Sequence, residues 1–226
     1  MEPTETNVYV TLSGLPGSGK TMLAHTLDGM KPQDIDESFG DNFDHVRSVP
    51  MRSLLIHMGY TGSRTTQELQ DFHTELRGSG QAEEVFEPLR HLERSIVIVD
   101  AVRNVYDMRY LVQEFGALTM SLVTPLVVAK THFTHDPNDE KHKQSINRFK
   151  IDLAAQDLDH NEVDRLSRDM AWEEALAEMG EDPEHHPCIV EAKAQIEVAS
   201  TEVSFHEVAM MAKTHIRAFI LERQAA

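Results

Sequence analysis

Cysteine is almost absent from this 226-residue chain, and the one cysteine, Cys188, can form neither an intrachain disulfide nor a zinc site built on several thiolates. Long apolar runs are also missing: no stretch of about 18 apolar residues occurs, so no membrane-spanning helix is expected. The polar, acidic residues 1–6 have neither the basic nor the apolar region of a targeting peptide. Together these absences predict a cytoplasmic protein.

Positive charge is scarce as well. The chain has 21 Lys and Arg against 38 Asp and Glu, which gives a formal net charge of −17 with neutral histidine. Nonspecific nucleic-acid binding depends on Lys and Arg that neutralise phosphates, so the composition argues against a nucleic-acid partner without excluding a local basic groove. Length and an ordinary 40% hydrophobic fraction fit one globular domain, residues 1–226. The sequence does not indicate an oligomeric state.

Short apolar runs alternate with helical patterns along the chain. Strands are predicted over 8–13, 95–99, 117–123 and 194–199. Helices are predicted over 20–30, 46–58, 66–77, 83–91, 106–115 and 205–222. Residues 125–187 are expected to form a lid and a helical elaboration within the same domain. Alternating strands and helices predict an α/β fold with a parallel sheet covered by helices on both faces.

One motif carries specific chemistry. Gly14-Leu15-Pro16-Gly17-Ser18-Gly19-Lys20-Thr21 fits G-x-x-x-x-G-K-[ST] and lies between a predicted strand and a predicted helix. Glycines let backbone amides converge on phosphate oxygens, and the helix N-terminus adds a partial positive charge. Lys20 is expected at the β- and γ-phosphates, and the Thr21 hydroxyl is expected to ligate Mg²⁺. The motif therefore predicts a binding site for ATP and Mg²⁺.

A carboxylate at the end of a neighbouring strand commonly completes such a magnesium site, and Asp100 follows the predicted strand 95–99. Asp is also a frequent helix N-cap, so Asp100 has a structural alternative. Arg103 would lie at the same sheet edge, either in contact with a phosphate or as a solvated loop residue.

The acidic segment 34–47 is the candidate acceptor site. Asp41 is expected to orient or deprotonate an attacking hydroxyl, and Arg47 is expected to hold an anionic part of the acceptor. Asp36 is a further candidate in this segment. The alternative is a solvated acidic turn, which is the commoner role of such a run.

With these residues in hand, the chain resembles the nucleoside monophosphate kinase group of P-loop proteins, nearest its dephospho-CoA-kinase-like and archaeal adenylate-kinase-like branch. Residues 40–47, 66–77 and 96–104 look like that branch's "GDVVR" region, its "LQ…G.ELR" helix and its "IVIDGIRN" strand and loop. The resemblance covers about residues 8–124. It implies a three-layer P-loop fold and a kinase that moves the γ-phosphoryl group of ATP to a nucleoside monophosphate or a similar small nucleotide-like acceptor.

The resemblance also implies roles for single residues. Lys20 and Thr21 would contact ATP and Mg²⁺, Asp41 and Arg47 the acceptor, and Asp100 with Arg103 would lie beside the transferring phosphoryl group. The family's lid carries several arginines, whereas the cations available here are Lys130, Lys141, Lys143 and Arg148. Arg148 is therefore a candidate substrate-binding residue. Two alternatives stay open: a kinase acting on a modified base or hydroxyl in DNA, and a non-catalytic nucleotide-binding regulatory module.

Overall fold

The computed structural model describes residues 7–14, 17–62, 66–102, 104–124, 194–199 and 204–225. The lid and elaboration predicted over 125–187 lie outside these residues, as do Pro16, Arg103 and Arg148. Within the described parts, no helix is both long enough and apolar enough to cross a membrane.

Five strands form one parallel sheet in the spatial order β2-β3-β1-β4-β5. The strands are β1 (Val8–Gly14), β2 (His45–Pro50), β3 (Ser95–Asp100), β4 (Leu118–Val123) and β5 (Ile196–Ala199). The predicted parallel sheet is confirmed, and four of its strands lie where the sequence placed them. Each strand connects to the next by a crossover that contains helix, as parallel pairing requires.

Helices cover both faces of the sheet. They are α1 (Lys20–Asp28), α2 (Met51–His57), α3 (Thr66–Gly78), α4 (Glu87–Arg90), α5 (Val105–Phe115) and α6 (Phe205–Ala225). Buried side chains of α1 and α6 pack on one face, which we call the α1 face. Those of α2 to α5 pack on the other, which we call the α5 face. The predicted α/β fold with two helical layers is confirmed.

The strands are apolar on both sides because both faces are covered. In β3, Ile96 and Ile98 are buried on the α1 face, while Val97 and Val99 are buried on the α5 face. This double burial explains why the central strands appear as continuous apolar runs instead of alternating patterns. It also fixes which way the last residue of each strand points.

The predicted helix over 46–58 is wrong in its first half. His45–Pro50 is the edge strand β2, and α2 begins only at Met51. Pro50, with φ −64° and ψ 138°, is extended and precedes the first helical residue. Proline has no N–H to donate, so an edge strand and the start of a helix are the positions that tolerate it. The β-branched Val46, buried on the α1 face, belongs to the strand.

A buried polar cluster holds α3 against the start of α5. Asp107 is 1% exposed, and the Nδ2 of Asn104 donates a hydrogen bond of 2.6 Å to its Oδ2. The Oδ1 of Asn104 accepts from the Asp107 backbone N–H at 2.7 Å and so caps α5. From α3, the Nε2 of His73 lies 3.3 Å from the Asp107 Oδ1. We call Asn104, Asp107 and His73 the Asp107 junction.

Burial raises the pKa of Asp107 to about 7, although the Arg77 charge and the Asn104 hydrogen bond both act to lower it. Removal from water disfavours the carboxylate more strongly than these two partners favour it. Near neutral pH the folded protein therefore holds the Asp107 carboxyl partly protonated.

This pKa predicts a pH-dependent stability. A carboxyl that ionises near pH 4 in the unfolded chain and near pH 7 in the folded protein binds more protons when folded, so the free energy of unfolding falls as pH rises between those values. We expect a fall of up to about 4 kcal/mol, levelling off above pH ~7. Urea unfolding of the wild type and of Asp107→Asn across this range measures it, and the variant should lack this component.

Glu114→Gln is the matched control, since Glu114 is an exposed acid on the same helix. Its pH dependence should match that of the wild type. If Asp107→Asn also keeps the full wild-type dependence, Asp107 is already ionised in the folded protein and the expectation is wrong.

Candidate functional site

The glycine-rich segment between β1 and α1 has a backbone that other residues adopt rarely. Gly14, Gly17 and Gly19 have φ values of 140°, 83° and 88°. A Cβ on Gly14 would lie 2.7 Å from the backbone oxygen of Leu122 and 2.9 Å from the Ser18 Oγ. Close packing against β4 thus requires glycine at this position, whereas Gly19 needs it for the left-handed turn that starts α1.

This segment lies where the strand connections diverge. β1 and β3 are neighbours in the sheet, but the chain leaves β1 for α1 on one face and leaves β3 for α5 on the other. Such a switch point opens a crevice outside the carboxyl ends of the two strands, where open α/β sheets bind their ligands. The glycine segment and the end of β3 form the two sides of that crevice.

The donors at the start of α1 suit an anion. Lys20 is 7% exposed and Ser18 is 4% exposed. The Ser18 Oγ has no hydrogen-bond partner among the described residues. The first turn of α1 holds no acidic residue, so nothing there opposes the positive end of the helix dipole. These groups therefore fit a bound phosphate chain.

Asp100 ends β3 and is 3% exposed. In the register it lies opposite Leu12, whose side chain is on the α1 face, so the Asp100 carboxylate points to the same side as α1. The next residue, Ala101, has φ 63°, a costly conformation for a non-glycine residue and one that accumulates at functional sites. Thr21, exposed on the first turn of α1, offers a second oxygen, and this pair of hard oxygen donors fits Mg²⁺.

The N-cap alternative for Asp100 is excluded. The helix that follows β3 is capped by Asn104, whose side chain accepts from the Asp107 backbone N–H. Asp100 is therefore buried at the strand end without serving as a helix cap.

Asp36 is committed to structural contacts. It caps a 3₁₀ turn over Glu37–Asp41 by accepting from the Ser38 backbone N–H at 2.9 Å, and it also accepts from the Ser38 hydroxyl and the Arg217 guanidinium of α6. The Ser38 hydroxyl and then Arg217 lower the pKa of Asp36 to about 2. Asp36 thus joins the segment before β2 to α6.

Asp41 lies at the opposite edge of the sheet from Asp100. Its backbone oxygen accepts a 2.8 Å hydrogen bond from Arg94, which immediately precedes β3 and pairs with Asp44 at 2.9 Å. This is the amino edge, whereas Asp100 and the glycine segment are at the carboxyl edge. The structure does not bring Asp41 together with Lys20.

Arg47 does not reach the carboxyl edge either. It lies within β2 opposite Val97 and is exposed, three residues before Pro50, the partner of Asp100 in the register. The predicted acceptor segment was assigned to the wrong edge because β2 was not recognised as a strand. Once β2 is a strand, everything before it belongs to the amino edge.

Two cations missed by the sequence analysis lie on the α5 side of the crevice. Arg52 is half-buried in the first turn of α2, two residues after Pro50. Arg77 is half-buried near the end of α3, and its guanidinium lies 5.9 Å from the centre of the Tyr106 ring in the first turn of α5. Tyr106 is 41% exposed. Recognising the β2 strand would have located Arg52, whereas only the packing of α3 on α5 reveals Arg77.

Comparison with known proteins gives limited guidance. No family model matches the chain, and no curated protein matches it. Three solved structures are similar over nearly the whole length. A structure of APE1195 has 17% identity and a TM-score of 0.49, covering 95% of this chain and 97% of that one.

The other two are shikimate kinases. The enzyme from Bacteroides thetaiotaomicron has 13% identity and a TM-score of 0.48, covering 94% of this chain and 98% of its own. The enzyme from Acinetobacter baumannii, in complex with shikimate, has 14% identity and a TM-score of 0.45, covering 98% and 97%. These scores are too low to carry a functional argument, so the function is argued from the chain's own site.

Proposed function

We propose that this protein is an ATP-dependent phosphotransferase of the P-loop kind, which moves the γ-phosphoryl group to a small nucleotide-like acceptor such as a nucleoside monophosphate. One observation carries the proposal: the glycine segment joins β1 to α1 at the switch point, and Asp100 ends the neighbouring strand on the same face as α1. A triphosphate and a hard cation are the ligands that this combination of donors and acceptors suits best.

The residues of the site divide the work of binding. Backbone amides of the glycine segment, the Ser18 hydroxyl and the Lys20 ammonium hold phosphate oxygens. Thr21 and Asp100 hold Mg²⁺, which neutralises charge on the phosphates when it is bound. Phosphoryl transfer needs little covalent chemistry from the protein, so positioning and charge neutralisation supply most of the catalysis. Arg103, outside the described residues, stays a proposed phosphate contact.

The acceptor is proposed to approach from the α5 side of the crevice. Arg52 and Arg77 provide guanidinium groups there, which suit an anionic acceptor. The exposed Tyr106 ring beside Arg77 adds a flat apolar surface of the kind that stacks on a nucleobase. Arg148 stays a further candidate outside the described residues, and a net charge of −17 favours a small acceptor over a polynucleotide.

Lys20→Ala should abolish catalysis while leaving the fold intact. Removing the ammonium leaves the charge that develops on the transferred group without its nearest cation from the glycine segment, so we expect kcat to fall at least about 100-fold. Coupled ATP turnover with the best acceptor measures the loss, and circular dichroism checks the fold. Lys31→Ala, an exposed lysine outside the segment, is the control and should retain wild-type turnover. Unchanged turnover in Lys20→Ala would refute the proposal.

Asp100→Asn and Asp41→Asn together separate the two edges of the sheet. Asp100→Asn removes a charged ligand, so the Mg²⁺ concentration for half-maximal rate should rise at least about tenfold. Asp41→Asn changes an exposed acid at the amino edge, so its rate should stay within about twofold of the wild type. Magnesium titrations of initial rate measure both. The opposite pattern would restore Asp41 to the active site and remove Asp100 from it.

The acceptor class requires a panel of compounds. We expect turnover with ribo- or deoxyribonucleoside monophosphates or dephospho-CoA, and none with shikimate, which lacks a base to stack on Tyr106. Single-stranded DNA is included because activity on DNA that falls steeply with salt would support a polynucleotide kinase instead. Tight ATP binding without transfer to any acceptor would indicate a non-catalytic module.

A further inference from the structure

Asp107 is a buried titratable group that the proposed phosphate chemistry does not use. It is 1% exposed, and its two carboxylate oxygens contact residues of two different helices. Oδ2 accepts from Asn104 at 2.6 Å on its own helix, and Oδ1 lies 3.3 Å from the Nε2 of His73 on α3. A buried carboxyl that joins two elements beside a candidate site is costly, so a role for it is worth testing.

One side of the Asp107 junction is fixed to the site loop. β3 ends at Asp100, and α5 starts five residues later at Val105. Asn104 caps α5 and binds the Asp107 carboxylate with the same side chain, through its Oδ1 and its Nδ2. The position of the carboxyl is therefore set relative to the short loop that follows Asp100, which contains the strained Ala101.

The other side of the junction is the acceptor-facing helix. His73 and Arg77 are four residues apart on α3 and so share one helical face. Arg77 lies close enough for its charge to act on Asp107, and its guanidinium lies 5.9 Å from the Tyr106 ring centre. Elsewhere α3 packs on the end of the α2 hairpin, where the Phe72 and Tyr60 rings are 5.4 Å apart. The junction is thus the described polar tie between α3 and the loop after β3.

We propose that Asp107 is a positioning residue, which fixes α3 through His73 and holds the Arg77 guanidinium at the carboxyl edge for the acceptor. The inference rests on the proposed phosphotransferase function, since it names what positions the acceptor side of that site. Asp107 itself touches neither substrate.

Ionisation of Asp107 controls the strength of this positioning. The charged and titratable groups that face it among the described residues are His73 and Arg77 from α3, with the neutral Asn104 from its own helix. An ionised carboxylate attracts the Arg77 charge and a protonated His73, whereas a protonated carboxyl attracts neither strongly. Acceptor binding should therefore tighten as pH rises through the ionisation of Asp107, while ATP binding at the glycine segment should not.

Steady-state kinetics on the full chain test the positioning. For the wild type we expect the KM for the acceptor to fall about tenfold between pH ~6 and pH ~8, a size typical of a hydrogen bond to a charged group. Asp107→Asn should raise that KM about tenfold at pH ~8 and flatten its pH profile, with the Kd for ATP unchanged. Glu114→Gln, an exposed acid on the same helix, should keep the wild-type profile. A wild-type profile in Asp107→Asn would overturn the proposal.

A pair of substitutions at His73 covers the case in which Asp107→Asn fails to fold. His73→Gln keeps a donor that can reach the carboxylate, whereas His73→Ala removes the tie. We expect His73→Ala to raise the acceptor KM about tenfold and His73→Gln to recover most of that loss. Equal KM values in the two variants, at any level, would contradict a positioning role.

Amide hydrogen exchange separates this proposal from the proposed function. Exchange in α3 should slow as pH rises through ~7, after correction for intrinsic rates, in the wild type and not in Asp107→Asn. If no acceptor is phosphorylated but this difference is present, the phosphotransferase assignment fails and the junction stands. If turnover occurs while α3 exchanges alike in both proteins, the junction proposal fails and the enzyme assignment stands.

Discussion

The parallel pairing of β1 with β3 brings the glycine segment and Asp100 to the same edge of the sheet. Leu12 lies opposite Asp100, so the two strands end together and their last side chains point to known faces. A shift of one residue in β3 would turn Asp100 towards the α5 face and away from α1. Burial on both faces prevents such a shift, because it would move Ile96, Ile98 and their neighbours into the wrong layer. The apolar core thus sets the geometry of the polar site.

An acidic protein can bind a triphosphate because the charges at this edge are local. The net charge of −17 is spread over the chain, but the first turn of α1 holds no acid, and Lys20 is almost fully buried beside the glycine segment. Backbone amides contribute partial positive charge that no composition count includes. Arg52 and Arg77 add cations on the acceptor side. A small phosphate-bearing ligand therefore encounters a favourable crevice within a surface that repels longer polyanions.

Periodicity and the glycine motif were enough to predict most of the fold, because double burial leaves continuous apolar runs and the motif needs a strand before it and a helix after it. They failed at β2, a half-exposed edge strand whose proline resembles a break within a helix. That one error moved Asp41 and Arg47 to the wrong edge and hid Arg52. The Asn104-x-x-Asp107 spacing was visible as a helix cap. Its contact with His73 was not, because it joins residues far apart in sequence.

The Asp107 junction shows how stability and positioning can oppose each other at one group. Burial makes the ionised carboxyl costly, so the fold is most stable when Asp107 is protonated. The attraction that holds Arg77, however, requires the carboxylate. A purely structural site would resolve this conflict with Asn or a small apolar residue, which carry no charge to bury. Retention of a carboxyl that titrates near neutral pH, at the contact between α3 and the Asp100 loop, is best explained by a need for its charge in function.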